Sequence, residues 1–245
     1  MRFNSILLVL VILAFSCSTE EYPIIQPENE VIEPLATYHV EVAEPSGLCF
    51  ANDYNSLWTV SDNTAKVYHI DLTGQIINTL NYIGVDLEGI AYDSTTNTIW
   101  VAEEINREIV QLNLSGTEQN RYKILEGSDN NGLEGICLNS ENTFFVLKEK
   151  LPGQFIELNP DFSVKTKKTI DFAYDYSGIC CDTIIDRFWI VSDESKKLFL
   201  WDKNSGVIKE YSIHIDKAEG IACSLIDGKI YIISDSESKM YVFKL

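Results

Sequence analysis

Leu87-Glu-Gly-Ile-Ala-Tyr-Asp-Ser-Thr-Thr-Asn-Thr-Ile-Trp-Val-Ala-Glu-Glu104 is the stretch on which the fold turns. An apolar run through Gly89-Ile90-Ala91 meets the polar cluster Asp93-Ser-Thr-Thr-Asn97, and a second apolar run around Trp100 ends on an acid. β-Branched and aromatic residues on both sides of a Ser/Thr/Asn/Asp cluster predict two antiparallel strands joined by a turn.

The same pattern recurs outward in both directions. Its glycine is matched by Gly47, Gly135, Gly178 and Gly220, so the steps along the chain are 42, 46, 43 and 42 residues. Each glycine is followed by Leu or Ile and then by Ala or Cys. An aromatic stands ten or eleven residues after it, at Trp58, Trp100, Phe145, Trp189 and Tyr231. Four residues past each aromatic is an acid: Asp62, Glu104, Glu149, Asp193 and Asp235. With 37 acids in 245 residues, five matches at five fixed places arise by chance on the order of once in ten thousand trials, so the repeat is real. A period in the forties predicts propeller blades.

Third strands follow as Lys66–Ile70, Glu108–Leu112, Gln154–Leu158, Lys197–Trp201 and Lys239–Phe243. The first four lead through a turn into a fourth strand, whereas the fifth stops at Leu245. The alternating segment Ala36-Thr-Tyr-His-Val-Glu-Val-Ala43 can supply the missing edge, which closes the ring and hides strands that would otherwise be open. The expectation is an all-β, five-bladed β-propeller over residues 35–245 with four antiparallel strands per blade. The tryptophans Trp58, Trp100 and Trp189 read as packing between blades.

Upstream of the repeat, one basic residue, Arg2, precedes the ten-residue apolar run Ile6–Phe15. Ten residues are too few to cross a bilayer, which takes about 20. The run reads as a signal peptide over residues 1–16. Ala14-Phe15-Ser16-Cys17 resembles the lipobox of bacterial lipoproteins, which implies acylation of Cys17 and a chain held on the membrane by its N-terminal lipid. Residues 17–34 are rich in Glu and Pro and contain no base, so they read as an extended acidic tether. The expected location is the bacterial outer membrane, on its periplasmic or its surface face; Glu20 and Glu21 after the lipidated cysteine resemble a surface-export signal.

The chain carries 19 Lys or Arg against 37 Asp or Glu, a formal charge of −18. A nucleic-acid partner is excluded, because such binders gather cations to neutralise phosphates. A monomer is expected, with a protein or small molecule as the possible ligand.

Pro45-Ser-Gly-Leu48, Leu87-Glu-Gly-Ile90, Leu133-Glu-Gly-Ile136, Tyr176-Ser-Gly-Ile179 and Ala218-Glu-Gly-Ile221, with Val60-Ser-Asp-Asn63 and Val191-Ser-Asp-Glu194, resemble the SdiA-regulated (YjiK-like) family over roughly residues 40–245. The resemblance implies a five-bladed propeller with a calcium site, and distant kinship to propellers that include hydrolases.

The residues before the repeat glycines are Ser46, Glu88, Glu134, Ser177 and Glu219. First strands of propeller blades line the central channel, so these side chains should converge on one axis. Three carboxylates and two hydroxyls together call for a positive charge among them. Ca²⁺ suits them, being hard, taking 6–8 oxygens and tolerating irregular geometry. The plainer alternative is a wet channel of solvated acids. Asp62, Glu104, Glu149, Asp193 and Asp235 form a second ring that either reaches a ligand at the channel mouth or starts turns. Lys148, in Lys148-Glu149-Lys150, either holds an anionic substrate or neutralises Glu103 or Glu149.

His39, His69 and His214 fall at three different repeat positions, and no Gly-x-Ser-x-Gly occurs, so neither zinc nor a serine triad is signalled. Cys49, Cys137 and Cys180 share one repeat position and Cys181 and Cys223 the next, which predicts free, buried thiols. Two functional classes follow: a membrane-anchored calcium-binding module that holds a ligand or protein, or a calcium-dependent hydrolase of an ester, lactone or phosphoester with its site at the channel.

Overall fold

The computed structural model describes residues 30–52, 54–127 and 131–245. Residues 1–16, read from the sequence as a signal peptide, Cys17 and most of the segment read as an acidic tether lie outside the described residues. Five sheets of antiparallel strands stand around one axis. Blade one is built from Pro45–Phe50, Ser56–Ser61, Lys66–Asp71 and Ile76–Thr79. Blade two comprises Leu87–Asp93, Thr98–Glu103, Glu108–Asn113 and Glu118–Lys123. Blade three comprises Leu133–Leu138, Phe144–Lys148, Gln154–Leu158 and Val164–Thr169. Blade four comprises Gly178–Asp182, Arg187–Ser192, Lys197–Asp202 and Gly206–Ser212. Blade five takes Ala218–Cys223, Lys229–Ser234 and Lys239–Lys244 from the C-terminus and its outer strand, Ala36–His39, from the N-terminus.

The fold is therefore the expected five-bladed β-propeller. Thr37 pairs with Tyr241 and His39 with Lys239, which closes the ring through hydrogen bonds. The first strand of each blade lies against the first strands of its neighbours around the axis. That axis is narrow because of the glycines: a Cβ on Gly89 would stand 2.1 Å from Glu134 O of the next blade, and one on Gly220 would stand 2.7 Å from Gly47 C. Any side chain there would push two blades apart.

The core lies between blades. The second strand of every blade is nearly all buried and the third about half or more, while outer strands such as Val164–Thr169 are exposed along their whole length. Between blades three and four, Trp201 stacks into a cage of Phe155 at 4.7 Å, Phe188 at 6.0 Å and Phe172 at 6.1 Å. Trp58, Trp100 and Trp189 are buried in three such interfaces.

Two segments differ from expectation. The closing strand ends at His39 instead of Ala43, because Val40 and Val42 turn into the core between blades five and one. The last residues assigned to the tether belong to the propeller: Glu30–Val31 pairs in parallel with Tyr211–Ser212 as a fifth strand on blade four. Ile32 packs on the core there, and Lys209 Nζ lies 3.2 Å from Glu30 Oε2, so an apolar residue and an ion pair offset the ordering of this segment. All five described cysteines are free; Cys137, Cys180 and Cys181 are buried, but Cys49 and Cys223 are only half-buried.

Candidate functional site

In four of the five blades the residue before the repeat glycine reaches the axis through a local irregularity. In blades one, two, three and five the inner strand shifts register at Ser46/Leu48, Leu87/Gly89, Leu133/Ile136 and Ala218/Gly220. Such bulges free one residue from the ladder and re-aim its side chain. Glu88, Glu134 and Glu219 are thereby turned into a cavity of about 230 Å³ at one end of the channel, together with Ser46 and Ser177. All five acids of the second ring, Asp62, Glu104, Glu149, Asp193 and Asp235, line the same cavity, so the two rings form one site.

Lys148 is not in the lining. Its amino group donates to the carbonyls of Lys150 and Pro152. The cavity's cations are Lys150 and Lys217. Lys150 Nζ lies 2.6 Å from Glu149 Oε1 and 2.8 Å from Glu194 Oε1, taking the neutralising role that the sequence suggested for Lys148. Glu103 points away from the axis and is neutralised by Arg121 at 2.6 Å.

The sequence reading missed a third ring. Glu44, Asp86, Gly132, Asp175 and Lys217 stand three residues before the repeat glycines. The signal was register alone, because the five residues share neither charge nor size. Asp175 is 3% exposed and organises its corner: it accepts from Ser177 Oγ at 3.1 Å, from the Glu194 amide at 3.0 Å and from Ser192 Oγ. Gly132 places a backbone amide where its counterparts place a side chain, and that amide donates to Glu104 Oε1 at 2.9 Å.

Charge is unevenly distributed around the cavity. Near blade five, Lys217 Nζ is 3.8 Å from Glu219 Oε1 and Lys196 Nζ is 2.8 Å from Asp193 Oδ1. Near blades one to three, no salt bridge to Asp62, Asp86, Glu88, Glu104 or Glu134 occurs among the described residues. Asp62, Asp86 and Glu88 offer oxygens within 4.8 Å of one another, as do Glu104, Glu134 and Glu149, and Glu149, Asp175 and Glu194. Ser46 Oγ donates to Glu88 Oε2 at 2.6 Å. Glu134 is 6% exposed, and no hydrogen bond to its carboxyl is present among the described residues.

These carboxyls resist ionisation. Burial, followed by Glu88 and Glu219 nearby, pushes Glu134 well above the usual carboxylate range. Burial does the same to Glu88 against the pull of Ser46. Glu104 is raised to about 7 by burial and by its hydrogen bond with Asp86, and Glu219 to about 7 by burial, against the opposing effect of Lys217. Asp62 is raised by burial and by Asp86. Such shifts arise when carboxyls are crowded out of water without a counter-charge. An all-oxygen donor set with three preformed triads fits a hard divalent cation, which would relieve the crowding. Ser46, Ser177 and backbone amides could instead donate to a bound anion only after that charge is offset.

The fold is shared with enzymes. A glutaminyl cyclase from Myxococcus xanthus superposes with a TM-score of 0.69 at 13% identity, over 86% of this chain and 95% of that one. A gluconolactonase from Xanthomonas campestris gives 0.59 at 9% identity, over 83% and 86%. A virginiamycin B lyase from Staphylococcus aureus gives 0.52 at 19% identity, over 83% and 70%. At these identities the likeness is one of architecture. No match to this chain is found among curated proteins. The family model described as SdiA-regulated matches residues 30–244, which spans all five blades and the strand that closes them, and the chain belongs to the SdiA-regulated family.

Proposed function

We propose that this chain is an exported, lipid-anchored propeller that binds Ca²⁺ in its carboxylate cavity and uses the bound cation to hold an oxygen-rich ligand. The observation that carries this reading is Glu134, a carboxyl 6% exposed and without a hydrogen-bond donor among the described residues, set within 4.8 Å of Glu104 and Glu149 oxygens. A buried carboxyl in that position is costly unless it keeps a proton or meets a cation. The carboxyls of blades one to three that form no salt bridge among the described residues are where the cation would sit, with Glu88, Glu104 and Glu134 as the central ligands. The anchor rests on the Ala14–Cys17 pattern, and would leave the acidic cavity at the end of a tether on the outer membrane.

A second reading, hydrolysis of an ester, lactone or phosphoester, draws support from Glu219. This carboxyl belongs to none of the three oxygen triads, lines the same cavity and titrates at about 7, which suits a general base near neutral pH. A cation among the opposite carboxyls would then lower the pKa of a bound water.

Titration of chelator-treated protein with Ca²⁺ by calorimetry tests the first reading, with one tight site and a higher melting temperature expected. Absence of both heat and thermal shift overturns it. An ester, lactone and phosphoester panel then separates the readings: turnover that is lost in Glu219→Gln while Ca²⁺ binding persists establishes the hydrolase.

A further inference from the structure

Beyond the glycine waist, at the end of the axis opposite the carboxylates, lies a second cavity of about 370 Å³. All five described cysteines line it. Their places follow the repeat. The second residue after one blade's glycine shares a core cluster with the third residue after the next blade's glycine, as Ala91 does with Leu138. By that rule Cys137 meets Cys181 between blades three and four, and Cys180 meets Cys223 between blades four and five.

The second pair is the better placed. Cys180 and Cys223 share one core cluster and line the same cavity, and the Cys223 thiol donates to Cys181 O at 3.4 Å, which brings its sulfur to the backbone next to Cys180. The two strands are in contact just upstream, since a Cβ on Gly178 would lie 2.6 Å from Glu219 O and 3.3 Å from Gly220 Cα. Close backbones with both cysteines in the one cluster between them are what a disulfide demands. Cys223 is half-buried at the cavity wall and within reach of solvent, whereas Cys180 is buried behind it. Cys181 faces the opposite side of the strand, toward Phe145 and Phe188.

We propose that Cys180 and Cys223 are a modification site: a dithiol that closes into a disulfide between blades four and five on meeting an external organic disulfide. The Cys223 thiol gives its proton to solvent and its sulfur attacks one sulfur of the reagent, whose S–S bond breaks and releases one thiol. The Cys180 thiol then gives up its proton and attacks the Cys223 sulfur of the mixed disulfide, releasing the second thiol. Two protein thiols are oxidised and one external disulfide is reduced to two thiols. The bond would close a loop running from blade four to blade five, and a crosslink over so long a loop restricts the unfolded chain strongly. An exported chain would meet such disulfides in an oxidising compartment. The inference rests on neither the cation nor the lipid.

The test is to incubate reduced, purified protein with oxidised glutathione, block remaining thiols and map the linkages by tandem mass spectrometry. The expected product carries a Cys180–Cys223 link with the loss of two hydrogens, and melts about 5 °C or more above the reduced protein. Cys181→Ser keeps the link, while Cys180→Ser and Cys223→Ser lose both the link and the thermal gain. A glutathione adduct on Cys223 that never closes, a different pair linked in its place, or five thiols still free after long exposure overturns the proposal.

Discussion

Ser46 Oγ donates to Glu88 Oε2 at 2.6 Å, joining two residues 42 positions apart, which is one blade of the repeat. The same hydroxyl donates to Glu88 O at 3.0 Å. The axial ring is thus a set of contacts between equivalent positions of successive blades, and a charge change in one blade is felt in the next.

That coupling sets the pH response. Glu104 and Glu219 titrate at about 7 in the folded protein, and Glu88 and Glu134 are held higher than ordinary carboxyls, against about 4.3 for an unfolded Glu. Raised carboxyl pKa values mean that the folded state binds more protons than the unfolded one. Their stabilising effect is complete below about pH 4 and is lost as pH rises through 7 and beyond. Asp227, lowered to about 2, works in the opposite sense, but its contribution is already complete above about pH 4. In chelator, the melting temperature should therefore fall between pH 5 and pH 8, and excess Ca²⁺ should flatten that fall. Thermal scans across this range check both effects; a flat profile in chelator would contradict the raised carboxyls.

Glu134→Gln removes a charge that burial and the neighbouring glutamates oppose, while retaining the shape of the side chain. At pH 8 in chelator the variant should melt a few degrees above the parent, because a neutral amide replaces a carboxyl whose ionisation burial opposes. Calcium affinity should drop by about tenfold or more, equivalent to about 1.4 kcal/mol or more. Opposite signs for stability and affinity in one variant separate a ligand from a residue that only supports the fold.

The sequence made the blades legible because five glycines, five aromatics and five acids keep a common register, and each is fixed by a demand common to all blades. No Cβ fits at Gly89 or Gly220, and an aromatic is needed where blades stack. The candidate site was legible where residues repeat and obscure where they differ. Glu44, Asp86, Asp175 and Lys217 occupy one position with two signs of charge, so no single residue type flags it. Lys150 could not be preferred to Lys148 from spacing, since the choice depends on strand pairing: Lys148 pairs with Gln154 in the second strand of blade three, while Lys150 lies past its end. Arg121 was invisible for a different reason, because its partners Glu103 and Glu108 are brought to it by strand pairing across blade two.

Arg121→Ala should cost about 2–3 kcal/mol. Its guanidinium reaches Glu103, Glu108 and Glu118 and donates to Tyr82 Oη at 3.1 Å. Glu103, whose side chain is 1% exposed, is held below the usual carboxylate range because these hydrogen bonds outweigh its burial. Removing the cation leaves a buried carboxylate with Tyr82, Asn106 and the Val85 amide as its donors among the described residues, and breaking such a pair is more costly than the pair is stabilising. The Arg side chain is one-third exposed, which keeps the cost at the lower end. Urea unfolding measures it, and Glu103→Gln combined with Arg121→Ala should recover part of the loss.

Trp201→Ala tests the interblade core in the same units. The side chain is 1% exposed and packs among Phe155, Phe172 and Phe188. Truncating a buried aromatic costs about 3–5 kcal/mol, because lost transfer energy is joined by the cavity left behind. The cation affinity of the carboxylate cavity should stay within about twofold of the parent, since Trp201 lies in the third strand of blade four, away from the cavity lining.

Ring closure gives the sharpest comparison. Deleting residues 1–29 keeps every described strand and should leave the melting temperature within a degree or two. Deleting residues 1–43 removes Ala36–His39 and with it the pairing to Lys239–Val242 and the buried Val40 and Val42. The strand Lys239–Lys244 would then stand as an open edge, its apolar face uncovered, which is a template for association. Blades five and one would also lose Val40 and Val42 from the core between them, so the ring that holds the axial carboxyls would loosen. The longer deletion should therefore give oligomers by light scattering and lose Ca²⁺ binding, while the shorter one stays monodisperse and binds as the parent does. Equal behaviour of the two would mean that the N-terminal strand is dispensable and that the ring is closed by side-chain packing between blades alone.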